Sequence, residues 1–125
     1  MKNKNLGNTG VIVSELCLGA MTFGGRGFWK AIGEQSQDEV NELIKTSFEY
    51  GINFIDTADV YGNGESEEAV GRLLKNRSER IYVATKCGRR LSPHTSKEHT
   101  PEAMRKFVED SLKNLQVDEK EFVRI

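Results

Sequence analysis

The feature that most constrains the fold of this chain is a regular alternation of short apolar runs with amphipathic helical segments. The apolar runs lie at 16–18, 52–55 and 81–85, and they end at Gly19, Asp56 and Lys86. Run ends spaced by about 30 to 37 residues suit repeated strand–helix units, because two parallel strands need a long crossover connection. The alternation therefore predicts an α/β protein with a parallel sheet.

Capping residues predict where the helices begin and end. Ser36 stands three residues before Glu39, the spacing of a capping box at a helix start. Gly51 is placed to end that helix in a left-handed conformation. Thr100 followed by Pro101 predicts the start of a later helix.

Two further local patterns complete the predicted order of elements. Residues 6–13 surround a glycine-containing turn and predict a hairpin ahead of the first strand. Acidic side chains crowd the first turn of a middle helix that begins at Glu65, where they face the positive end of the helix dipole. We expect Cys17 to be a core residue. We expect the interior of a closed sheet to be lined by Ile52, Phe54, Ile81 and Val83.

Two architectures fit this order, a (β/α)₈ barrel and a doubly wound sheet. A dinucleotide-binding doubly wound sheet places G-x-G-x-x-G between its first strand and helix. Here Gly19 is followed by Ala-Met-Thr-Phe-Gly-Gly, which lacks that spacing. The sequence favours a (β/α)₈ barrel. Residues 1–125 would form one domain that contains the hairpin and about three βα units of an incomplete barrel.

Composition excludes several classes of partner. The formal net charge of −1 leaves no excess of cations for nucleic acid, and no apolar run approaches the roughly 20 residues of a membrane span. The first five residues lead into no apolar signal core. Two cysteines without paired spacing fit a reducing compartment, so we expect a cytoplasmic protein.

Three side chains predict a site at one rim of the sheet. Asp56 and Lys86 stand at the carboxyl ends of neighbouring predicted strands, and Tyr61 lies in the loop after Asp56. A lysine ammonium beside a phenol stabilises the phenolate, so such a tyrosine can give a proton to a carbonyl oxygen as hydride arrives at carbon. The alternative is that Asp56 caps a loop and the other two are solvated.

Other polar residues give weaker signals. His94 and His99, with Asp56 or Asp59, could suggest a metal site, but their spacing fits no strong motif and we predict no metal. Arg89 and Arg90 form a basic patch with Lys86, for which a solvated loop is the favoured interpretation.

Several motifs in one order resemble a known family. Residues 51–62, Gly-Ile-Asn-Phe-Ile-Asp-Thr-Ala-Asp-Val-Tyr-Gly, strongly resemble the signature of the aldo-keto reductase superfamily. So do the motifs at 6–10 and 18–25, Ser-Glu-Glu at 66–68 with Gly71, and Ala-Thr-Lys at 84–86. The resemblance runs from about Leu6 to Val117 and is closest to bacterial-type members.

The resemblance implies a barrel that binds NADP(H) without a Rossmann motif and interconverts aldehydes or ketones with alcohols. Tyr61 would be the proton donor, Lys86 would make its proton available, and Asp56 would pair with Lys86 beside the nicotinamide ribose. The cofactor-binding residues that it implies are Ala20, Met21, Arg26 and Asp56.

The length of the sequence sets a further expectation. A complete barrel takes about 250 residues, whereas this sequence has 125. The resemblance also implies a histidine after a fourth strand; a strand could begin at Phe122, and no histidine follows it. We therefore expect a truncated, marginally stable and weakly active or inactive chain, its open sheet covered by a second copy or a complementing polypeptide. A non-enzymatic cofactor-binding or regulatory module and a remnant without function stay open as alternatives.

Overall fold

The computed structural model describes residues 1–24, 31, 35–75 and 77–118 in full, and the backbone of 122–124. Strands β1 (Asn3–Asn5) and β2 (Ile12–Ser14) form the predicted antiparallel hairpin. The four-stranded sheet is parallel throughout, and its strands follow chain order: β3 (Leu18–Gly19), β4 (Phe54–Asp56), β5 (Tyr82–Thr85) and β6 (Phe122–Arg124). The helices between them are α1 (Gln37–Glu49), α2 (Glu65–Leu74) and α3 (Pro101–Leu115).

The predicted helix caps are present. The Ser36 hydroxyl accepts from the Glu39 amide at 3.2 Å, and the Glu39 carboxylate accepts from the Ser36 amide at 2.8 Å. Gly51 follows α1 with a left-handed φ of 87°. At α3, the Thr100 hydroxyl accepts from the amide of Ala103. These local interactions explain why the helix boundaries could be predicted from residue type alone.

The sheet has two faces with different roles. Register pairs Ile55 with Val83, and these side chains pack against the helices in a core with Val70, Ile44 and Leu115. Phe54 and Ala84 belong to the opposite face, where they pack with Val13 of the hairpin. Side chains alternate along a strand, so Asp56 shares the face of Phe54.

The hairpin covers the amino-terminal end of the second face. Asn53, just before β4, accepts from the amide of Ser14 at 2.7 Å through its side chain, and its own amide donates to the Ser14 hydroxyl. The Asn53 side chain also donates to the carbonyl of Ile12. The hairpin therefore closes the end of the sheet opposite to Asp56 and Lys86.

Two predictions about side-chain orientation were wrong. Cys17 is exposed, because its neighbour Leu18 is the residue of β3 that packs against the helix-facing core. Ile81 and Val83 belong to that same core and do not face the interior of a closed sheet. Buried parallel strands carry apolar residues on both faces, so their sequence does not reveal which face is inside.

Helices α2 and α3 cross at Gly71. A Cβ atom at Gly71 would lie 2.5 Å from the carbonyl oxygen of Asn114 and 2.7 Å from that of Leu115. Only glycine allows this approach, which brings α3 against the first turns of α2. In the described part of the chain, none of the helices combines the length and apolar character that crossing a bilayer requires.

Candidate functional site

Asp56 and Lys86 form the centre of the site. The Lys86 ammonium donates to both carboxylate oxygens of Asp56, at 2.8 and 2.7 Å, and to the carbonyl oxygen of Thr57 at 2.9 Å. These three oxygens match the three donors of an ammonium group. The side chains stay 47% and 40% exposed, so the pair is also open to a ligand.

Tyr61 approaches the same ammonium from the loop after β4. The nitrogen of Lys86 lies 5.4 Å from the centre of the Tyr61 ring, within the range of a cation–π contact. Tyr61 begins a short 3₁₀ turn at Tyr61–Gly64 that leads directly into α2. The structure thus brings together the three side chains that the sequence singled out.

The shape of the Tyr61 turn depends on Gly62. Gly62 has a left-handed φ of 59°, and a Cβ atom there would lie 3.0 Å from the Cβ of Glu65 and 3.2 Å from the Cα of Gly24. The turn that carries Tyr61 is therefore packed against both the start of α2 and the loop that follows β3.

A buried hydrogen-bond chain lies behind this site. The Ser66 hydroxyl donates to the carbonyl of Ala20 at 2.7 Å and lies 2.8 Å from the hydroxyl of Thr57. A serine hydroxyl has one proton, so Thr57 is the donor in the second bond. The amide of Ala20 in turn donates to the carbonyl of Asp56. Ser66 and Thr57 are fully buried.

Glu67 is a functional candidate that the sequence prediction missed. The sequence predicts it in a first helical turn of acidic side chains that face the positive end of the helix dipole, but its side chain is fully buried. Its carboxyl group accepts from the Thr85 hydroxyl at 2.7 Å and from the Asn114 side chain at 3.0 Å. Its position three residues before Val70, on the apolar face of α2, is the sequence signal that could have revealed this.

The predicted cofactor-binding residues differ in their accessibility. Met21 is 43% exposed, whereas Ala20 is fully buried and both of its backbone groups are hydrogen-bonded within the protein. Asp56 is partly exposed beside Lys86. Arg26 lies outside the described residues.

Cys17 lies close enough to Asp56 and Lys86 to feel their charges. Although the residue is exposed, the protein around its thiol removes some water, and this burial is the main cause that raises the pKa of Cys17. The Asp56 carboxylate raises this pKa further, and the Lys86 ammonium opposes both effects. Cys17 is therefore an uncharged neighbour of the site at neutral pH.

Arg90 lies in an exposed loop, as the sequence predicts, but it also makes specific contacts with acidic side chains. Its guanidinium lies 3.2 Å from the buried Asp59 carboxylate, at ion-pair distance but without hydrogen-bond alignment, and it donates to Asp110 of α3 at 3.0 Å. It also lies over the ring of Phe107. Burial raises the pKa of Asp59 and the Glu67 carboxyl group raises it further, while Arg90 lowers it.

Other features lie apart from the three central side chains. The rings of His94 and His99 contact each other edge to face, and the described residues include no group of three or more His, Cys, Asp or Glu side chains suited to hold a metal ion. A pocket of about 330 Å³ lies between α1 and α2, lined by residues that include Gln37, Glu65 and Arg72. It contains none of Asp56, Tyr61 and Lys86.

Comparison with protein families decides the relationship of this chain. A model described as "Aldo/keto reductase family" matches residues 15–125. The chain belongs to the aldo/keto reductase family. The resemblance on which the sequence prediction rested is thereby confirmed.

Individual aldo/keto reductase relatives agree. The chain is 38% identical to the L-galactose dehydrogenase of Arabidopsis thaliana over 117 residues, which are 90% of this chain and 34% of that protein. It is 41% identical to a probable aldo-keto reductase 1 of Glycine max over 118 residues, which are 90% of this chain and 32% of that protein. The chain thus spans about a third of the length of these relatives.

Solved aldo-keto reductase structures share the fold. The aldo-keto reductase AKR11C1 from Bacillus halodurans, in its holo form, superposes with a TM-score of 0.74 at 32% identity, covering 94% of this chain and 37% of that one. The glycerol dehydrogenase AKR11B4 from Gluconobacter oxydans superposes with a TM-score of 0.69 at 32% identity, covering 92% and 36%. The fold prediction is confirmed: the described strands form an open part of a (β/α)₈ barrel.

Proposed function

We propose that this chain contributes the proton-donating part of an NADP(H)-dependent oxidoreductase that interconverts an aldehyde or ketone with an alcohol. The observation that carries the proposal is the convergence of Tyr61, Lys86 and Asp56 at one rim of the sheet. Family membership supports the reaction class, because the relatives include named dehydrogenases and reductases.

Tyr61 is the proposed acid. The Lys86 ammonium faces its ring and stabilises the phenolate that remains when the proton leaves for a carbonyl oxygen. Asp56 holds that ammonium in place through both of its carboxylate oxygens. In the reverse direction, the phenolate takes the proton of an alcohol.

The described residues fit a nicotinamide cofactor on the open face. Asp56 is exposed enough to accept a hydrogen bond from a ribose hydroxyl while it keeps Lys86, and the exposed Met21 side chain offers an apolar contact. The fully buried Ala20 would act through its small size. When bound, the cofactor supplies or accepts the hydride.

We further propose that the open face of the sheet is covered by additional polypeptide. Asp56, Lys86, Met21 and Cys17 are all accessible to solvent on or beside it, and β3 and β6 are the outer strands of the described sheet. Exposed strand edges and apolar side chains favour pairing with further polypeptide. We propose a second copy of the chain or a complementing polypeptide for this role, in the cytoplasm. A reaction exposed to water is expected to be slow in the chain alone.

The test is to mix the purified chain with NADPH and a reactive aldehyde and to follow the loss of nicotinamide absorbance. We expect a slow reduction that Tyr61→Phe lowers by about 10²- to 10⁴-fold. NADPH binding, followed by its fluorescence, should survive that substitution. The matched control is Tyr50→Phe, because Tyr50 is 74% exposed at the end of α1.

The remaining outcomes separate the alternatives. NADPH binding without reduction would support a non-enzymatic cofactor-binding module. Absence of both would contradict the proposed function and leave a remnant. A reduction that Tyr61→Phe and Tyr50→Phe affect equally would remove Tyr61 from the mechanism.

A further inference from the structure

Two consecutive residues of α2 contact the residues that flank the central ion pair. Thr57 follows Asp56 directly, and Thr85 immediately precedes Lys86. The Thr57 hydroxyl donates to Ser66, and the Thr85 hydroxyl donates to Glu67. Asp56 and Lys86 belong to the open face, while the side chains of their threonine neighbours reach α2 on the other side of the sheet.

These contacts are shielded from water. Ser66, Glu67 and Thr57 are fully buried, and Thr85 is 6% exposed. Lys86 and Asp56, in contrast, are nearly half exposed and form a contact that water and salt weaken. The buried hydrogen bonds of Ser66 and Glu67 can therefore keep their geometry independently of the exposed ion pair.

We propose that Ser66 and Glu67 are positioning residues, which hold the Lys86 ammonium on Asp56 through Thr57 and Thr85. The proposal rests on the proposed function, since it names what sets the geometry of the proton-donating site. Neither side chain touches the open face, so neither is a catalytic residue.

The path from α2 to the ammonium is short on both sides. The hydroxyl of Thr57 is bound by Ser66 while its carbonyl accepts from Lys86, so one residue links the helix to the ammonium. Glu67 binds Thr85, and the amide of Thr57 donates to Ala84 of the same strand. Asn114 of α3 holds the second oxygen of Glu67, and the glycine crossing at Gly71 allows α3 to come this close.

The experiment measures the reactivity of the Lys86 amine. This measurement does not depend on catalytic turnover. The folded chain is labelled briefly with acetic anhydride, and the rate at Lys86 is divided by the rates at the exposed Lys2 and Lys97 in the same sample. Thr85→Val removes the hydroxyl that binds Glu67 and keeps the shape. We expect it to raise the normalised rate about threefold, toward the value of Asp56→Asn, because an amine released from the Asp56 carboxylate and the Thr57 carbonyl is more accessible to the reagent.

Conservative and stability-matched variants show whether the contacts to α2 position the Lys86 ammonium or only stabilise the fold. Thr85→Ser keeps the hydroxyl and should restore the slow rate. Glu67→Met removes both acceptor oxygens and should raise the rate as Thr85→Val does. Val70→Ala removes fully buried apolar atoms of the same helix without touching the polar contacts. It should lower stability and leave the Lys86 rate unchanged.

Two results would overturn the proposal. One is an unchanged Lys86 rate in both Thr85→Val and Glu67→Met. The other is an equal rise in Val70→Ala, which would show that any loss of stability releases the amine. Failure of NADPH reduction or binding in the parent chain would count against the proposed function alone, because the labelling rates are measured without cofactor.

Discussion

The ammonium nitrogen of Lys86 lies 2.8 Å from one carboxylate oxygen of Asp56 and 2.7 Å from the other, although the two residues are 30 positions apart. Parallel pairing of β4 with β5 creates this contact, because it places Asp56 beside Ala84, two residues before Lys86. Both side chains are more than a third exposed. The pair is thus better suited to chemistry than to stabilising the fold.

Asp56→Asn should change stability little and reduction greatly. We expect the free energy of unfolding in urea to fall by less than about 1 kcal/mol, because solvent screens an exposed ion pair. NADPH-dependent reduction should fall by about 10²-fold or more. Lys4→Gln breaks another exposed pair, with Glu15, and should match the small stability change without changing the rate. A large loss of stability in Asp56→Asn would contradict the expectation that the ion pair contributes little to stability.

Gly71→Ala should destabilise the crossing of α2 and α3. Its methyl group would meet backbone atoms of Asn114 and Leu115 that cannot rotate away. We expect a loss of about 1–3 kcal/mol in urea unfolding. Gly19→Ala is the control, since a Cβ atom there meets nothing within 4 Å and should change stability by about 0.5 kcal/mol or less. Equal effects of the two substitutions would show that the crossing is not tightly packed.

Acid should weaken the capping box of α1. The amide and hydroxyl of Ser36 lower the pKa of Glu39 below its ordinary value of 4.5 in the folded chain. Stability from this bond is therefore present above pH 4.5 and is lost as pH falls through the folded pKa. Between about pH 6 and about pH 3, the urea midpoint of the parent should fall further than that of Glu39→Gln. Glu42→Gln, exposed on the same helix, should follow the parent instead.

Arg90→Gln should destabilise the chain more as pH rises. This is the opposite of the pH dependence expected for the Glu39 capping box, which weakens as pH falls. Burial raises the pKa of Asp59, so the folded chain holds the proton more tightly and stability is lost as pH rises through this raised pKa. Removing Arg90 raises the pKa further and widens that window. We expect a loss of about 1–2 kcal/mol near pH 7, moderated by the partial exposure of Arg90.

The check on this prediction is urea unfolding at several pH values. The loss caused by Arg90→Gln should shrink as pH falls and Asp59 becomes protonated in both chains. Arg89→Gln, at the exposed neighbouring residue, should show little loss at any pH. A loss that stays constant with pH would mean that Arg90 acts by packing on Phe107 rather than by charge.

Local signals carried the correct parts of the sequence prediction. Ser36 with Glu39, and Thr100 with Pro101, are caps whose partners lie within three residues, so residue type and spacing sufficed. The convergence of Asp56 and Lys86 could be expected because they lie at the carboxyl ends of neighbouring parallel strands. The approach of Tyr61 to them was also anticipated, although its turn depends on left-handed residues.

The errors arose where the sequence does not specify a face or a distant partner. Glu67 looks like its neighbours Glu65 and Glu68, and only the approach of Thr85 and Asn114 makes its burial favourable. Cys17 was assigned to the core because an apolar run does not show which of its residues points away from the helices. Arg90 finds Asp59 and Asp110 from a different loop and a different helix, and no spacing along the chain records this.

The alternation along β4 and β5 divides two tasks between adjacent positions. Substitutions at residues 56 and 86 can alter the chemistry at the rim of the sheet. Residues 57 and 85 meanwhile keep the backbone of both strands bound to α2. The same division makes these strands intolerant of indels. Adding a single residue inside β4 would exchange the faces of residues 56 and 57, turning the carboxylate of Asp56 toward α2 and the Thr57 side chain toward the open face.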